Sequence, residues 1–351
     1  MNPFAYSAPT DTDAALVAIQ TDFNDSMPNR FLAGGTNLVD LMKADVMHPA
    51  RLVDVNGLPL DAISETADGG LQLGALARNA DTAYHPWVRT RYPLLTAAIL
   101  AGASPQIRNM ASNGGNLLQR TRCHYFYDVG VPCNKRDPGS GCSAIGGVTR
   151  QHAILGASSH CIATHPSDLC VALAALGARV HVQSARGERE IEFADFHRLP
   201  GDTPQHDTTL AADELITQIT LPAEAAAFAA HSVYLKLRDR ASYAFALVSV
   251  AAALQLDDAG RITQARIALG GVAHKPWRKP DAEALLHGAL PHDALFARVA
   301  DALLEGAQGQ GQNDFKITLA HRAIIRVLQS AVVGTLTNRD EGDASAEESL
   351  Q

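Results

Sequence analysis

Five cysteines are the residues with the most chemistry to offer. They stand as Cys123-x9-Cys133-x8-Cys142-x18-Cys161, with Cys170 nine residues further on. All five fall within 48 residues of a 351-residue chain. An odd, clustered set is a poor disulfide framework and a better metal-centre pattern. Four thiolates suffice for a [4Fe–4S] cluster, a pair of irons or a zinc ion. Zinc sites favour tight Cys-x-x-Cys knuckles, and none occurs here. A cubane is larger and accepts wide spacing from a wrapping loop. Cys170 sits in an apolar helical pattern, where a free cysteine is commonly a small buried hydrophobe. That leaves Cys123, Cys133, Cys142 and Cys161 as the candidate ligands, with a set of unrelated free thiols as the plain alternative. Arg120, Arg122, Lys135, Arg136 and Arg150 outnumber Asp128 and Asp137 around them, a balance that suits an anionic thiolate centre. Tyr125, Phe126 and Tyr127 can shield such a centre from water. His152, His160 and His165 flank the region and read as structural histidines.

The second chemistry is carried by glycines. In the stretch FLAGGTNLVDLMK (31–43), Gly34 and Gly35 let the backbone turn and let a ligand approach closely. Thr36 or Asn37 can cap the helix that follows. Free N–H groups at such a turn attract an anion, most often a phosphate. The sequence ASPQIRNMASNGGNLLQ (103–119) repeats that chemistry around Gly114 and Gly115. Two phosphate-type turns suit a dinucleotide. Taken singly, each is also compatible with a plain strand-to-helix turn, because neither is a G-x-G-x-x-G or Walker A motif.

These residues need elements to hold them. Residues 3–56 read as a small β/α unit, with an amphipathic helix at 14–19 and a closing strand at 51–55. A hairpin at 62–73 opens a second unit, followed by helices at 81–84 and 93–100. Residues 119–160 lose hydrophobic periodicity; a loop of this length is functional or disordered, and a covalent tie is expected to hold it. His165, Pro166, Ser167 and Asp168 start a core helix, with Pro166 near its first position, that stops at Gly177. A hairpin at 180–191 and a strand at 215–221 follow. The Ala-rich run 222–230 marks a boundary before three strands and three helices. The expected division is a dinucleotide-type domain at 1–222, with subdomains at 1–56 and 57–222, an α+β domain at 231–336, and a disordered acidic tail at 337–351. The Asp239-Arg240 pair is expected to be an ion pair, and Trp277 to lie at a subunit contact.

Composition excludes some classes. The chain is 46% hydrophobic and 19% charged, with a net charge of -8 and an isoelectric point near 5.9. That balance argues against a nucleic-acid binder. No run of about 18 apolar residues predicts a membrane span. The first residues lack a basic region, an apolar region and a twin-Arg pair, so no export signal is expected on the chain itself.

The two Gly-Gly stretches, HPSDL at 165–169 and KLRDRASYAFALVSVAAAL at 236–254 together resemble the FAD-binding medium subunits of the molybdenum hydroxylases, the xanthine dehydrogenase and carbon monoxide dehydrogenase group. The cysteine stretch at 119–142, with CIATHPSDL at 161–169, is similar to the branch of bacterial periplasmic aldehyde oxidoreductases, which inserts a [4Fe–4S] loop at about 119–161. 4-Hydroxybenzoyl-CoA reductase subunits carry a comparable extra cluster and are the nearest alternative.

The resemblance implies an α+β fold: a two-part FAD domain of the vanillyl-alcohol-oxidase (PCMH) type with an inserted iron–sulfur loop, then a C-terminal α+β domain of the CO dehydrogenase flavoprotein type. It implies a pyrophosphate-binding turn at Leu32, Ala33, Gly34, Gly35, Thr36, Asn37 and Leu38. It implies a second FAD-contacting stretch with Ser104, Ser112, Gly115 and Asn116. Asp168 corresponds to the acidic residue that holds the flavin nucleotide, and Ile216 and Lys236 to positions near the adenine side and the flavin ring. The four cysteines correspond to the cluster ligands.

No catalytic residue is expected on this chain. The resemblance implies a heterotrimer in which a large subunit with a molybdenum cofactor oxidises the aldehyde. A small subunit with two [2Fe–2S] clusters then passes electrons to FAD here and on to an external acceptor. Ferredoxin, a quinone-type dye or O2 is expected as that acceptor, rather than NAD+, because the inserted loop alters the approach to the flavin. The periplasm is expected as the compartment, by co-export with a signal-bearing partner, with the cytoplasm as the alternative. A stand-alone flavin oxidase and a non-enzymatic assembly protein are the competing functions.

Overall fold

The structure is a computed structural model and describes residues 1–22 and 27–335. The expected tail at 337–351 lies outside the described residues. The first unit runs β1 (Ala5–Ser7), α1 (Thr12–Gln20), β2 (Arg30–Leu32), α2 (Leu38–Lys43) and β3 (Arg51–Asp54). Its sheet has the order β1-β3-β2 and is parallel throughout, with Tyr6 opposite Leu52 and Phe31 opposite Val53. The Asp11 carboxylate caps α1 by accepting from the Ala14 N–H at 2.8 Å. Ala15, Leu16 and Ile19 then form the buried stripe that packs on Val53 and Val55. Strand β1 carries no sequence signal, because it is three residues long and two of them are exposed.

The second unit holds β4 (Ile63–Glu65), β5 (Leu71–Gly74), α3 (Asn79–Tyr84), α4 (Pro86–Arg91), α5 (Pro93–Ala101), α6 (Pro105–Arg108), α7 (Asn113–Leu117) and α8 (His124–Tyr127). It continues with α9 (Asp168–Leu176), β6 (Arg179–Ser184), β7 (Gly187–Glu192), α10 (Phe193–Phe196) and β8 (Leu215–Leu221). The strands form one antiparallel sheet, β4-β5-β8-β6-β7. Leu71 faces Leu221 and Val180 faces Ile219 across it, and this apolar face joins the core of α5 and α9. Helix α9 is buried on every side. It starts two residues later than the sequence suggests. The Ser167 hydroxyl accepts from the Cys170 N–H at 3.1 Å, so Ser167 is the cap and Pro166 precedes it. Gly177, at φ 68°, ends it in the left-handed region.

The Ala-rich run is a 3-10 helix (Ala223–His231) rather than an open connection, and its Ala225 and Phe228 insert into the main core. Beyond it lie β9 (Ser232–Leu237), β10 (Val248–Leu256), β11 (Ile262–Gly270), α11 (Pro280–Ala284), α12 (Asp293–Leu303) and α13 (Phe315–Val333). The sheet is antiparallel in the order β11-β10-β9. Central strand β10 is buried on both faces. Val248, Val250, Ala252 and Leu254 join the core under α12 and α13, while Ala251 and Ala253 join the core around α9. This explains its unbroken apolar sequence. Trp277 is half-buried against its own chain. Its indole N–H donates to the Leu303 carbonyl at 3.0 Å, and the residue packs on this same core. Asp239 pairs with Arg150 at 2.7 Å, not with Arg240, whose guanidinium donates to the Tyr243 carbonyl. Among the described residues, no helix is long and apolar enough to cross a membrane.

Candidate functional site: a flavin cleft beside a four-cysteine pocket

A cleft of about 1290 Å3 opens where the parallel unit, the antiparallel sheet and the C-terminal domain meet. All the flavin residues expected from the sequence line it except Leu32 and Ser104. Leu32 is half-buried at the end of β2. Ser104 instead caps α6, accepting from the Ile107 N–H at 3.3 Å. The first turn runs from β2 into α2. Among the described residues, no acceptor takes the backbone N–H groups of Gly34, Gly35, Thr36, Asn37 or Leu38, so a run of donors is left for an anion at the cleft wall. Gly35 has a φ of 70°. A Cβ on Gly34 would lie 1.9 Å from the Met110 carbonyl oxygen, so the two Gly-Gly stretches touch where only glycine fits.

The second stretch is tied internally. Ser112 caps α7 by accepting from the Gly115 N–H at 3.2 Å. Asn116 accepts from the Ser167 hydroxyl at 2.6 Å and from Gln119 at 2.7 Å, and donates to Asn79 at 2.6 Å. Asn116 therefore links α7 to the start of α9. The α9 N-terminus presents Asp168 to the cleft, and Asp168 is already partnered. Lys236 Nζ donates to its Oδ2 at 2.8 Å, and the Tyr234 hydroxyl donates to its Oδ1 at 2.6 Å. Lys236 and Asp168 are both nearly buried. Burial, then the Asp168 charge, push the Tyr234 hydroxyl well above its ordinary pKa, which keeps it a donor.

The four candidate cysteines line one small pocket, together with Tyr125, Phe126, Lys135 and Ala163. Cys170 is elsewhere, fully buried in α9. Cys133 and Cys142 face each other in an isolated antiparallel bridge. The Asn134 side chain holds that turn, accepting from Gly139 and Gly141 and donating to the His160 carbonyl. Among the described residues, no three of these sulfurs lie within 4.8 Å of one another. One tetrahedral zinc holds its thiolates about 3.8 Å apart, closer than any three of these sulfurs stand to one another here. Burial pushes the Cys123 thiol up to about 12, against the N–H groups of Phe126 and Tyr125, and the Cys161 thiol up to about 11. Thiolates at this depth need a bound cation. Cys123 Sγ also lies 3.1 Å from His152 Nε2. All five cysteines are free, and hydrogen bonds and packing hold the loop.

Cleft and pocket are joined by contacts that no motif announces. Phe126, fully buried, packs with Cys133 against Leu41 of α2. Arg120 donates its backbone N–H to Asn37 Oδ1 at 2.8 Å, and its side chain pairs with Asp207 at 2.8 Å. Lys135, buried between Cys133 and Cys142 in the sequence, pairs with the same Asp207. Burial raises the Asp207 carboxyl, but Lys135 and Arg120 outweigh it and hold the group well below the usual carboxylate range. Arg122, Asp168 and Phe245 line both the cleft and a smaller cavity that also touches Cys123. Behind α7, His165 and His197 pack with ring centroids 4.3 Å apart, and His197 Nε2 bonds the Leu117 carbonyl at 2.9 Å. Burial lowers both imidazoles, which brace α7 from behind as neutral rings.

Sequence reasoning missed Asp207 and Tyr234. Neither sits in a motif, and only the fold brings them to the cleft.

A two-part α/β cleft with a bare N–H turn, followed by an antiparallel α+β domain, defines an FAD-binding subunit. The family described as "FAD binding domain in molybdopterin dehydrogenase" matches residues 2–224. "CO dehydrogenase flavoprotein C-terminal domain" matches residues 233–331. The chain belongs to this family of FAD-binding medium subunits of the molybdenum hydroxylases. It is similar to the aldehyde oxidoreductase FAD-binding subunit PaoB of Escherichia coli (strain K12), at 52% identity, covering 86% of this chain and 91% of that protein. Among solved structures it is similar to quinoline 2-oxidoreductase from Pseudomonas putida 86, with a TM-score of 0.71, 25% identity, and 94% and 97% of the two chains covered. Carbon monoxide dehydrogenase from Hydrogenophaga pseudoflava shares the fold, with a TM-score of 0.72 and 24% identity over 94% and 97%.

Proposed function

We propose that the chain is the electron-transfer subunit of a molybdenum-dependent aldehyde oxidoreductase, holding FAD in the cleft and a [4Fe–4S] cluster on Cys123, Cys133, Cys142 and Cys161. The observation that carries this reading is the 52% identity to an aldehyde oxidoreductase FAD-binding subunit along most of both chains. The cluster assignment is supported by a pocket that gathers all four cysteines, with sulfurs spaced more widely than a single zinc holds them, and that is lined by aromatic side chains and buried Lys135. When bound, FAD accepts and releases electrons singly or in pairs, which lets it join one-electron clusters to an external acceptor. This chain supplies the site for that exchange: the turn at residues 34–38 for the anionic part of the dinucleotide, and the Asp168–Lys236 pair at the cleft wall. The aldehyde chemistry belongs to a large molybdenum-cofactor subunit, and a small subunit with two [2Fe–2S] clusters completes a heterotrimer.

The complex works in the periplasm by co-export with a signal-bearing partner, and its acceptor is ferredoxin, a quinone-type dye or O2. The test is to purify the complex anaerobically, add an aldehyde and follow flavin bleaching. Reoxidation is then compared for a quinone-type dye and NAD+. Aldehyde-driven bleaching, with fast reoxidation by the dye alone, is expected. Bleaching by aldehyde in the isolated chain would favour a stand-alone oxidase, and reoxidation by NAD+ at a comparable rate would overturn the acceptor assignment.

A further inference from the structure

His160 lines the four-cysteine pocket itself, while His152 shares a neighbouring cavity with Cys123. Nothing in the proposed function uses His152. It is fully buried, with Nε2 3.1 Å from Cys123 Sγ. Its backbone is held from the C-terminal domain. The His152 carbonyl accepts from Lys316 Nζ at 2.8 Å and from Asn313 Nδ2 at 3.0 Å, both near the start of α13. Lys316 also donates to the Gly271 carbonyl at 2.6 Å, so one buried ammonium ties His152 to the end of β11. The backbone that carries the imidazole is thereby fixed, and the ring itself is buried beside the sulfur.

We propose that His152 is a positioning residue for the iron–sulfur centre, donating an Nε2–H hydrogen bond to the Cys123 sulfur and thereby raising the cluster's reduction potential. This rests on the four-cysteine cluster reading above. The direction of the bond follows from chemistry. A cysteine sulfur bound to iron has no proton to give, so a nitrogen 3.1 Å away is held there only if it carries the hydrogen. The opposite tautomer would set a lone pair against the thiolate. It would also leave a buried N–H at Nδ1, an atom with no hydrogen-bond partner among the described residues. A hydrogen bond to a cluster sulfur stabilises the more negative, reduced state more than the oxidised one, so its loss lowers the potential. The tether on α13 makes the C-terminal domain part of this setting.

The test is an anaerobic redox titration of the assembled complex, following the cluster by electron paramagnetic resonance, for the wild type, His152→Leu and His152→Gln. Iron and sulfide are counted in each. The expected result is a lower cluster potential in His152→Leu, a smaller drop in His152→Gln, which keeps an N–H, and an unmoved flavin potential in both. An unchanged potential in His152→Leu with iron retained overturns the proposal and leaves the cluster reading standing. A wild type without a four-iron cluster overturns both. Should His152→Leu fail to fold or to load iron, the wild type labelled with 15N-histidine decides. Double-resonance spectra of the reduced cluster show a weak histidine nitrogen coupling if the bond exists, and its absence overturns the proposal.

Discussion

The flavin cleft and the cysteine pocket share a wall yet are held by different forces. The cleft is made of backbone. Its first turn offers N–H groups that no acceptor among the described residues takes, and its second is locked by Ser112, Asn116 and Ser167. Such a surface is complete before a ligand arrives. The pocket is made of side chains that burial opposes. With the Cys123 thiol pushed up to about 12, a bare thiolate there costs about 4 kcal/mol more than in water. A site of that kind is finished only when a cation enters it. The difference predicts that a change at one site leaves the other standing, despite the contacts between them.

Three changes would break or sharpen that contrast. The largest effect on flavin content is expected from Gly34→Val. Its new side chain would run into the Met110 carbonyl, and overpacking of this kind costs about 1–3 kcal/mol. Flavin affinity should fall by about tenfold or more, read as the flavin-to-protein ratio, while iron content holds. Loss of iron in parallel would show that the two sites are not separable.

Asp207→Asn should come next, because it clips the two regions together through Arg120 and Lys135. Removing the carboxylate leaves the Lys135 charge buried and should cost about 3 kcal/mol in denaturant unfolding. The sign with pH is fixed. The folded Asp207 carboxyl lies below its unfolded value, so its contribution is fully present above about pH 4 and is lost as pH falls below that. The stability gap between wild type and Asp207→Asn should therefore close in acid and stay constant from neutral pH down to mildly acidic pH. The smallest effect belongs to Ser104→Ala. Ser104 caps α6 and does not line the cleft, so the change should cost about 0.5–1 kcal/mol with flavin content unchanged. A drop in flavin would return Ser104 to the binding surface.

What could be read from the sequence follows the same division. The Gly34-Gly35 turn was legible because only glycine tolerates the Met110 contact, and that demand is written in residue type. Helix α9 was legible from its apolar run and Gly177, though its start moved by two residues when Ser167 proved to be the cap. Cys170 separated from the other four because it lies in that helix. Contacts between distant segments were not legible. Asp207 sits in a loop without a motif, yet it meets residues 72 and 87 positions away. Trp277 shows the same limit, since a loop tryptophan carries no sign of the carbonyl it will find at Leu303. His152 was read as structural for the same reason, since its spacing from Cys123 says nothing of a 3.1 Å approach.

The central claim is that one chain holds a flavin and a four-cysteine cluster at adjoining but separable sites. Anaerobic counts of flavin, iron and sulfide on the wild type and on Cys133→Ser test it most directly. The account predicts FAD with four irons and four sulfides in the wild type, and FAD without iron in Cys133→Ser. A folded wild type that holds flavin and no iron would contradict it, and would reduce the cysteine pocket to a set of buried thiols.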